Sequence, residues 1–155
     1  VADAFDSDFS NGSITNCTFH DIAGDALDVS GSTVTVSASR MERIGDKGVS
    51  AGEKSTVSVE NVSMAEVGIG AASKDLSRVT LTGGEIRKAR FAALAAYIKK
   101  PVFGPASLEA SGVTILETET TAVAQTGSTI LIDGTAVEAR TLDVDFLYQQ
   151  GILGN

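Results

Sequence analysis

Apolar residues in this chain alternate with polar ones over short runs, and the runs recur. Val34 and Val36, Val57 and Val59, and Val79 and Leu81 each enclose a single Thr or Ser, and Ile130 and Ile132 repeat the spacing. A period of two puts one face of a strand inward. Thr and Ser suit the half-exposed positions of a pleated surface. Clusters of Gly, Ser, Asn and Asp separate the runs, and these are turn residues. The pattern therefore predicts two or three short strands per repeat, joined by tight turns.

The repeat is about 22 residues long. Segments 25–32, 33–36 and 41–44 align with 47–55, 56–59 and 64–67 after one inserted residue. An earlier copy runs through Ala4, Phe5, Asp6, Ile14, Phe19 and Ile22, and a later one through 73–77, 78–81 and Ile86. Weaker copies surround Leu94 with Leu108, and Val123 with Ile130 and Ile132. A period between roughly 20 and 50 residues signals a solenoid. A leucine-rich repeat would need the LxxLxLxxN spacing, which none of the copies shows. Short strands, small turn residues and aliphatic ladders fit an all-β, right-handed parallel β-helix, a single-stranded solenoid of about six to seven coils. Residues 1–140 form its coils, and 141–155 form a C-terminal cap or tail of the same domain.

Equivalent positions of such a coil stack about 4.8 Å apart. Three inner ladders are expected: Phe5, Leu27, Val49 and Leu94; Ile14, Val34, Val57, Val79 and Ile130; and Phe19, Met41, Met64 and Ile86. Both Ile69 and Ala71 fit the open place in the first. Segment 86–100 also carries a helical signal: it is rich in Ala and Arg, its apolar residues 91, 94 and 98 share a helical face, and Pro101 follows. Ile86, Ala89 and Leu94 nevertheless continue the spacing of Phe19, Ile22 and Leu27, and we place the segment on a rung.

Composition narrows the chemistry. Only 5% of the 155 residues are aromatic, so the core rests on Val, Ile, Leu and Ala. A net charge of −8 leaves no basic surplus for a phosphate backbone, so no nucleic-acid partner is expected. Segment 91–98, the uncharged apolar stretch richest in Ala, is too short to span a bilayer. One Cys and one His exclude a disulfide framework and a His-rich zinc site. The start, without Met or a signal-peptide pattern, reads as that of a mature fragment or an excised domain.

The stretches Gly-Asp-Ala-Leu-Asp-Val-Ser-Gly-Ser (24–32), Asp-Lys-Gly-Val-Ser-Ala-Gly-Glu-Lys-Ser (46–55), Ala-Ser-Lys-Asp-Leu-Ser (72–77) and Ala-Tyr-Ile-Lys-Lys-Pro (96–101) look like successive rungs. In these, the chain resembles bacterial right-handed parallel β-helix repeat proteins. The resemblance covers most of Asp3 to Ile132 and carries no catalytic signature. It implies an extracellular or cell-envelope location, since similar proteins include large envelope and secreted chains.

The richest candidate constellation is acidic. Asp6 and Asp8 lie on the first rung, with Asp3, and Asp25 and Asp28 on the next. With Phe5 and Leu27 inward, Asp6 and Asp28 point outward and stack. Carboxylates one rung apart repel unless a cation or a shared proton relieves them. Three readings stand: turn aspartates bonding local amides, a Ca²⁺ site at Asp6 and Asp28, or the acids Asp6, Asp8, Asp25 and Asp28 of a polysaccharide hydrolase or lyase. Neither first-rung nor second-rung segment contains Arg or Lys, and the place of Asp28 becomes Ser50 one copy on. No other cofactor is expected.

A second constellation, Glu53-Lys54, Lys74-Asp75 and Lys99-Lys100, recurs at one point of successive rungs and reads as a solvated charge ladder. Lys99 and Lys100 are candidate contacts for an anionic ligand, and Tyr97 for a sugar ring. His20 reads as a surface residue and Cys17 as a small half-buried one. Phe146, Leu147, Tyr148, Ile152 and Leu153 either cover the last rung or form an association surface. The open first coil predicts end-coil association with a preceding domain or another subunit. The expected role is a non-catalytic module of a larger bacterial surface or secreted protein, a rigid scaffold or a carbohydrate-binding or adhesion region. The alternative is a polysaccharide-active enzyme or a fragment of one.

Overall fold

The structure is a computed structural model and describes residues 2–154; Val1 and Asn155, the outer ends of the expected 1–140 and 141–155 spans, lie outside the described residues. The chain winds as a parallel β-helix of about six coils. Each full coil contributes one strand to each of three walls. The first wall stacks Phe5–Asp8, Leu27–Ser30, the later parts of Arg40–Gly52 and Ser63–Lys74, Ala92–Tyr97, Ala122–Gln125 and Ala139–Arg140. The second stacks Asn11–Thr15, Thr33–Ser37, Thr56–Glu60, Arg78–Thr82, Ser107–Ser111 and Thr129–Ile132. The third stacks Thr18–Ile22, the earlier parts of Arg40–Gly52 and Ser63–Lys74, Glu85–Arg87 and Thr114–Leu116.

The alternation in the sequence sets the core. On the first wall Phe5, Leu27, Val49, Ala71, Leu94 and Ala122 stand in register, so Ala71, not Ile69, continues that ladder. On the third, Phe19, Met41, Met64, Ile86 and Ile115 do so. The second wall corrects one expectation. Ile14 pairs with Val36, not Val34, and Val34 stacks on Gly12. The two inner rows there are Gly12, Val34, Val57, Val79, Leu108 and Ile130, and Ile14, Val36, Val59, Leu81, Ala110 and Ile132. Gly12 has no side chain to mark its inward position, which shifts the apparent register by one pair of residues.

Segment 86–100 is a rung. Glu85–Arg87 continues the third wall and Ala92–Tyr97 the first, with all six residues of the latter buried. Corners close through residues in the left-handed region. Asn16, Ala38, Asn61, Gly83, Gly112 and Asp133 mark one corner, with φ from +48° to +64°. Other turns are sewn by buried hydroxyls: Ser32 Oγ accepts the Ser10 N–H, Ser55 Oγ the Ser32 N–H and Ser77 Oγ the Ser55 N–H, at 3.0–3.1 Å. Glycine is required where coils touch. A Cβ at Gly45 would lie 2.2 Å from the Ala23 carbonyl oxygen.

The C-terminal end differs from the rest. Thr135–Ala136 turns back antiparallel on Thr129–Ile132. A short helix, Val144–Gln149, follows, capped by Asp143, whose carboxylate accepts the Phe146 N–H at 3.0 Å. This segment runs along the outer surface of the first wall. Val144 and Leu153 are buried there with Ile69, Ala72, Ala95 and Tyr97. Phe146 and Ile152 stay exposed. No helix among the described residues is long and apolar enough to cross a membrane.

Candidate functional site

The outer face of the first wall collects the charged groups. Asp6 and Asp28 are register partners, as the strand phase requires, and Ser50 follows Asp28. Just before these strands, Asp3, Asp25 and Lys47 form a backbone-capping ladder. Asp3 Oδ1 accepts the Asp25 N–H at 2.6 Å, and Asp25 Oδ1 accepts the Lys47 N–H at 2.8 Å. Carboxylate oxygens of Asp3, Asp25 and Asp28 lie within 4.8 Å of one another.

Two buried ammonium groups face these acids, although neither acidic segment contains a base. Lys47 is one coil on: its Nζ donates to Asp46 Oδ2 at 2.7 Å and sits 3.6 Å from Asp25 Oδ1. Lys74 is two coils on. Its stem passes Gly52, where a Cβ would meet Lys74 Cε at 3.6 Å, and its Nζ lies 3.7 Å from Asp28 Oδ1. Asp25 is pushed up to about 7, chiefly by burial, with Lys47 opposing. Burial likewise lowers Lys74, and Asp28 opposes it. Asp6, near the open end, is raised by desolvation and then by Asp8, Asp28 and Asp3. Asp28 Oδ1 and Ser50 Oγ are buried without a hydrogen-bond partner among the described residues.

Three acids with oxygens this close are a donor set of the kind that suits a hard cation. Here the ammonium groups of Lys47 and Lys74 already supply positive charge at that place. Asp8 stands apart at the outer edge of the first rung and is exposed.

The other predicted contacts are drawn into structure. Tyr97 is fully buried, and its hydroxyl bonds that of Tyr148 at 2.8 Å, with the rings edge to face. Its ring therefore offers no open stacking face. Lys99 Nζ sits 4.4 Å from the centre of the Tyr148 ring, and Lys100 pairs with Glu53. The backbone N–H groups of Lys99 and Lys100 both donate to Asp75 Oδ1, at 2.7 and 2.6 Å. Among the described residues Glu53 and Lys100 are the one pair of the expected surface ladder whose side chains bond each other, while Lys74 and Asp75 are buried, Lys74 facing Asp28.

Sequence reasoning missed Lys47, Lys74, Asp46 and Tyr148 as members of one cluster. The signal was available in part: Lys47 occupies the place of Asp25 one repeat on. It also missed a corner ladder of alternating sign, Asp21, Arg43, Glu66, Lys88 and Glu117, all left-handed at φ from +49° to +57°. Arg43 Nε donates to Asp21 at 2.6 Å, and Lys88 lies 3.8 Å from Glu66. His20 Nδ1 lies 2.8 Å from Asp21 in the same exposed group. Cys17 is half-buried against the core.

Among known proteins, the family described as "right handed beta helix region" matches residues 3–135. Searches of curated proteins and of solved structures found no match.

Proposed function

The chain belongs to the right-handed β-helix family, and we propose that within it this chain is a non-catalytic module of a larger bacterial surface or secreted protein, acting as a rigid scaffold. One observation carries the reading: three acids of the first two coils, Asp3, Asp25 and Asp28, are spent on the stack itself. Asp3 and Asp25 each cap the next coil, Asp25 faces Lys47, and Asp28 faces Lys74. The C-terminal segment then occupies the neighbouring outer surface, where a polymer would otherwise lie. Any carbohydrate or adhesive contact falls to the uncovered second wall, whose outward rows include Ser13, Thr35, Ser58 and Thr80 in register. The open edge of the first coil is the place for a further coil or another subunit to add.

The raised acids, Asp25 beside Lys47 and Asp6 among Asp3, Asp8 and Asp28, favour a second reading, a polysaccharide hydrolase or lyase, because shifted carboxyls are also how acid–base pairs are made. The test is turnover on a panel of neutral and uronic-acid polysaccharides, with and without Ca²⁺. The scaffold predicts no product from the wild type. Product formation that is lost in Asp28→Asn, with the fold intact, establishes the enzyme.

A further inference from the structure

The most unusual contact in the molecule is a lysine sealed between two carboxylates. Lys47 is 2% exposed, Asp25 5% and the Asp46 side chain 14%. The C-terminal segment closes the site. Leu153 is buried with Ile69, the register partner of Lys47, a Cβ at Gly154 would collide with the Asp46 carboxylate, and the Tyr148 ring centre lies 6.0 Å from Lys47 Nζ. The two acids stand in different relations to the ammonium. Asp46 Oδ2 accepts a hydrogen bond from Nζ at 2.7 Å. Asp25 Oδ1 is 3.6 Å from Nζ and is itself held by the Lys47 backbone N–H at 2.8 Å.

These are the parts of a self-contained condensation: a nucleophile, a proton acceptor bonded to it, and a carboxyl whose one oxygen is polarised by a fixed N–H donor. We propose that Lys47 and Asp25 join in an isopeptide bond that welds the second coil to the third. Asp46 takes one proton from the ammonium, and the freed lone pair forms the Nζ–Cγ bond. The Cγ–Oδ2 bond breaks, and Oδ2 leaves as water with the carboxyl proton and one proton from nitrogen. One proton stays on the amide nitrogen. The third passes through Asp46 to solvent, and nothing is oxidised or reduced. Oδ1 remains as the amide oxygen on the Lys47 N–H. Burial favours the step: it raises Asp25, so that the neutral carboxyl is populated, and it keeps out the water that would solvate both charges. The pair Lys74 and Asp28 lacks this arrangement, because no second carboxylate bonds the Lys74 ammonium among the described residues.

The test is the mass of the intact, folded full chain, followed by peptide mapping. The bond predicts a chain lighter by one water. It also predicts a tryptic peptide pair covalently joined through Lys47 and Asp25, uncut after Lys47. Asp46→Asn, which keeps both bonded residues, is expected at full mass or to lose water only slowly. A wild-type chain of full mass that trypsin cuts after Lys47 overturns the proposal. So does a water loss confined to a single peptide, as a succinimide at Asp133-Gly134 would give.

Discussion

A few side chains fix the coil because each satisfies a neighbour one turn away. Ser55 is 1% exposed, accepts the Ser32 N–H and returns its own proton to a carbonyl oxygen. Ser58 lies three residues on and faces outward on the second wall. Leaving a buried donor unpaired costs about 1–3 kcal/mol. Ser55→Ala is therefore expected to lower the unfolding free energy by that amount, and Ser58→Ala to change it by less than ~0.5 kcal/mol. Denaturant titration of the two variants checks the difference. Equal effects would mean that hydroxyl burial does not set the cost. Asp21 shows the electrostatic counterpart. The Arg43 guanidinium and then His20 hold its carboxyl well below the usual range. A carboxyl whose pKa is lowered on folding adds stability that is present above about pH 4, its unfolded value, and lost as the pH falls towards its folded value. The melting-temperature gap between wild type and Asp21→Asn should be widest near neutral pH and close on acidification. Salt should shrink it, because the pair is exposed.

At the scale of elements, the decisive piece is the C-terminal segment 141–154. It converts the outer face of the first wall into a second apolar contact, with Tyr97 and Tyr148 bonded at its centre. Deleting the residues after Asp143 uncovers Ile69, Ala72, Ala95, Tyr97 and the Lys47 cluster. That truncation is expected to melt lower and to aggregate, whereas Tyr97→Phe should cost only about 1 kcal/mol. An unchanged melting curve for the truncation would show that the segment does not hold the wall. The same contact explains why 86–100 is ambiguous in the sequence. A strand buried on one face alternates, but Ala92–Tyr97 is buried on both, so its apolar run carries no period of two and its alanines read as helix. The walls with one wet face, such as Thr33–Ser37 and Thr56–Glu60, are legible residue by residue. The exception is Asn11–Thr15, where an inward Gly12 hides the register.

For the whole molecule, the solenoid was legible because its period is carried by many residues at once. The acidic site was legible only by half. Asp6 and Asp28 stack as their strand phase dictates, but the lysines that answer the acids lie one and two coils away, and Lys47 is closed in by a tail far along the chain. Neither relation is local, and only the repeat alignment of Lys47 with Asp25 hints at one of them. Stacking makes the cluster a joint between coils, and a solenoid is as strong as the contacts between adjacent repeats. In this account the acids stabilise; in an enzyme they would serve a substrate, and removing such residues often leaves stability unchanged or improved. The most direct measurement is the unfolding free energy of Asp25→Ala against the wild type. Asp25→Ala leaves the buried Lys47 N–H without its acceptor and takes away one of the two acids beside the Lys47 ammonium, and a loss of about 1–3 kcal/mol is expected. A variant as stable as the wild type, or more so, would contradict the claim that these acids hold the coils together.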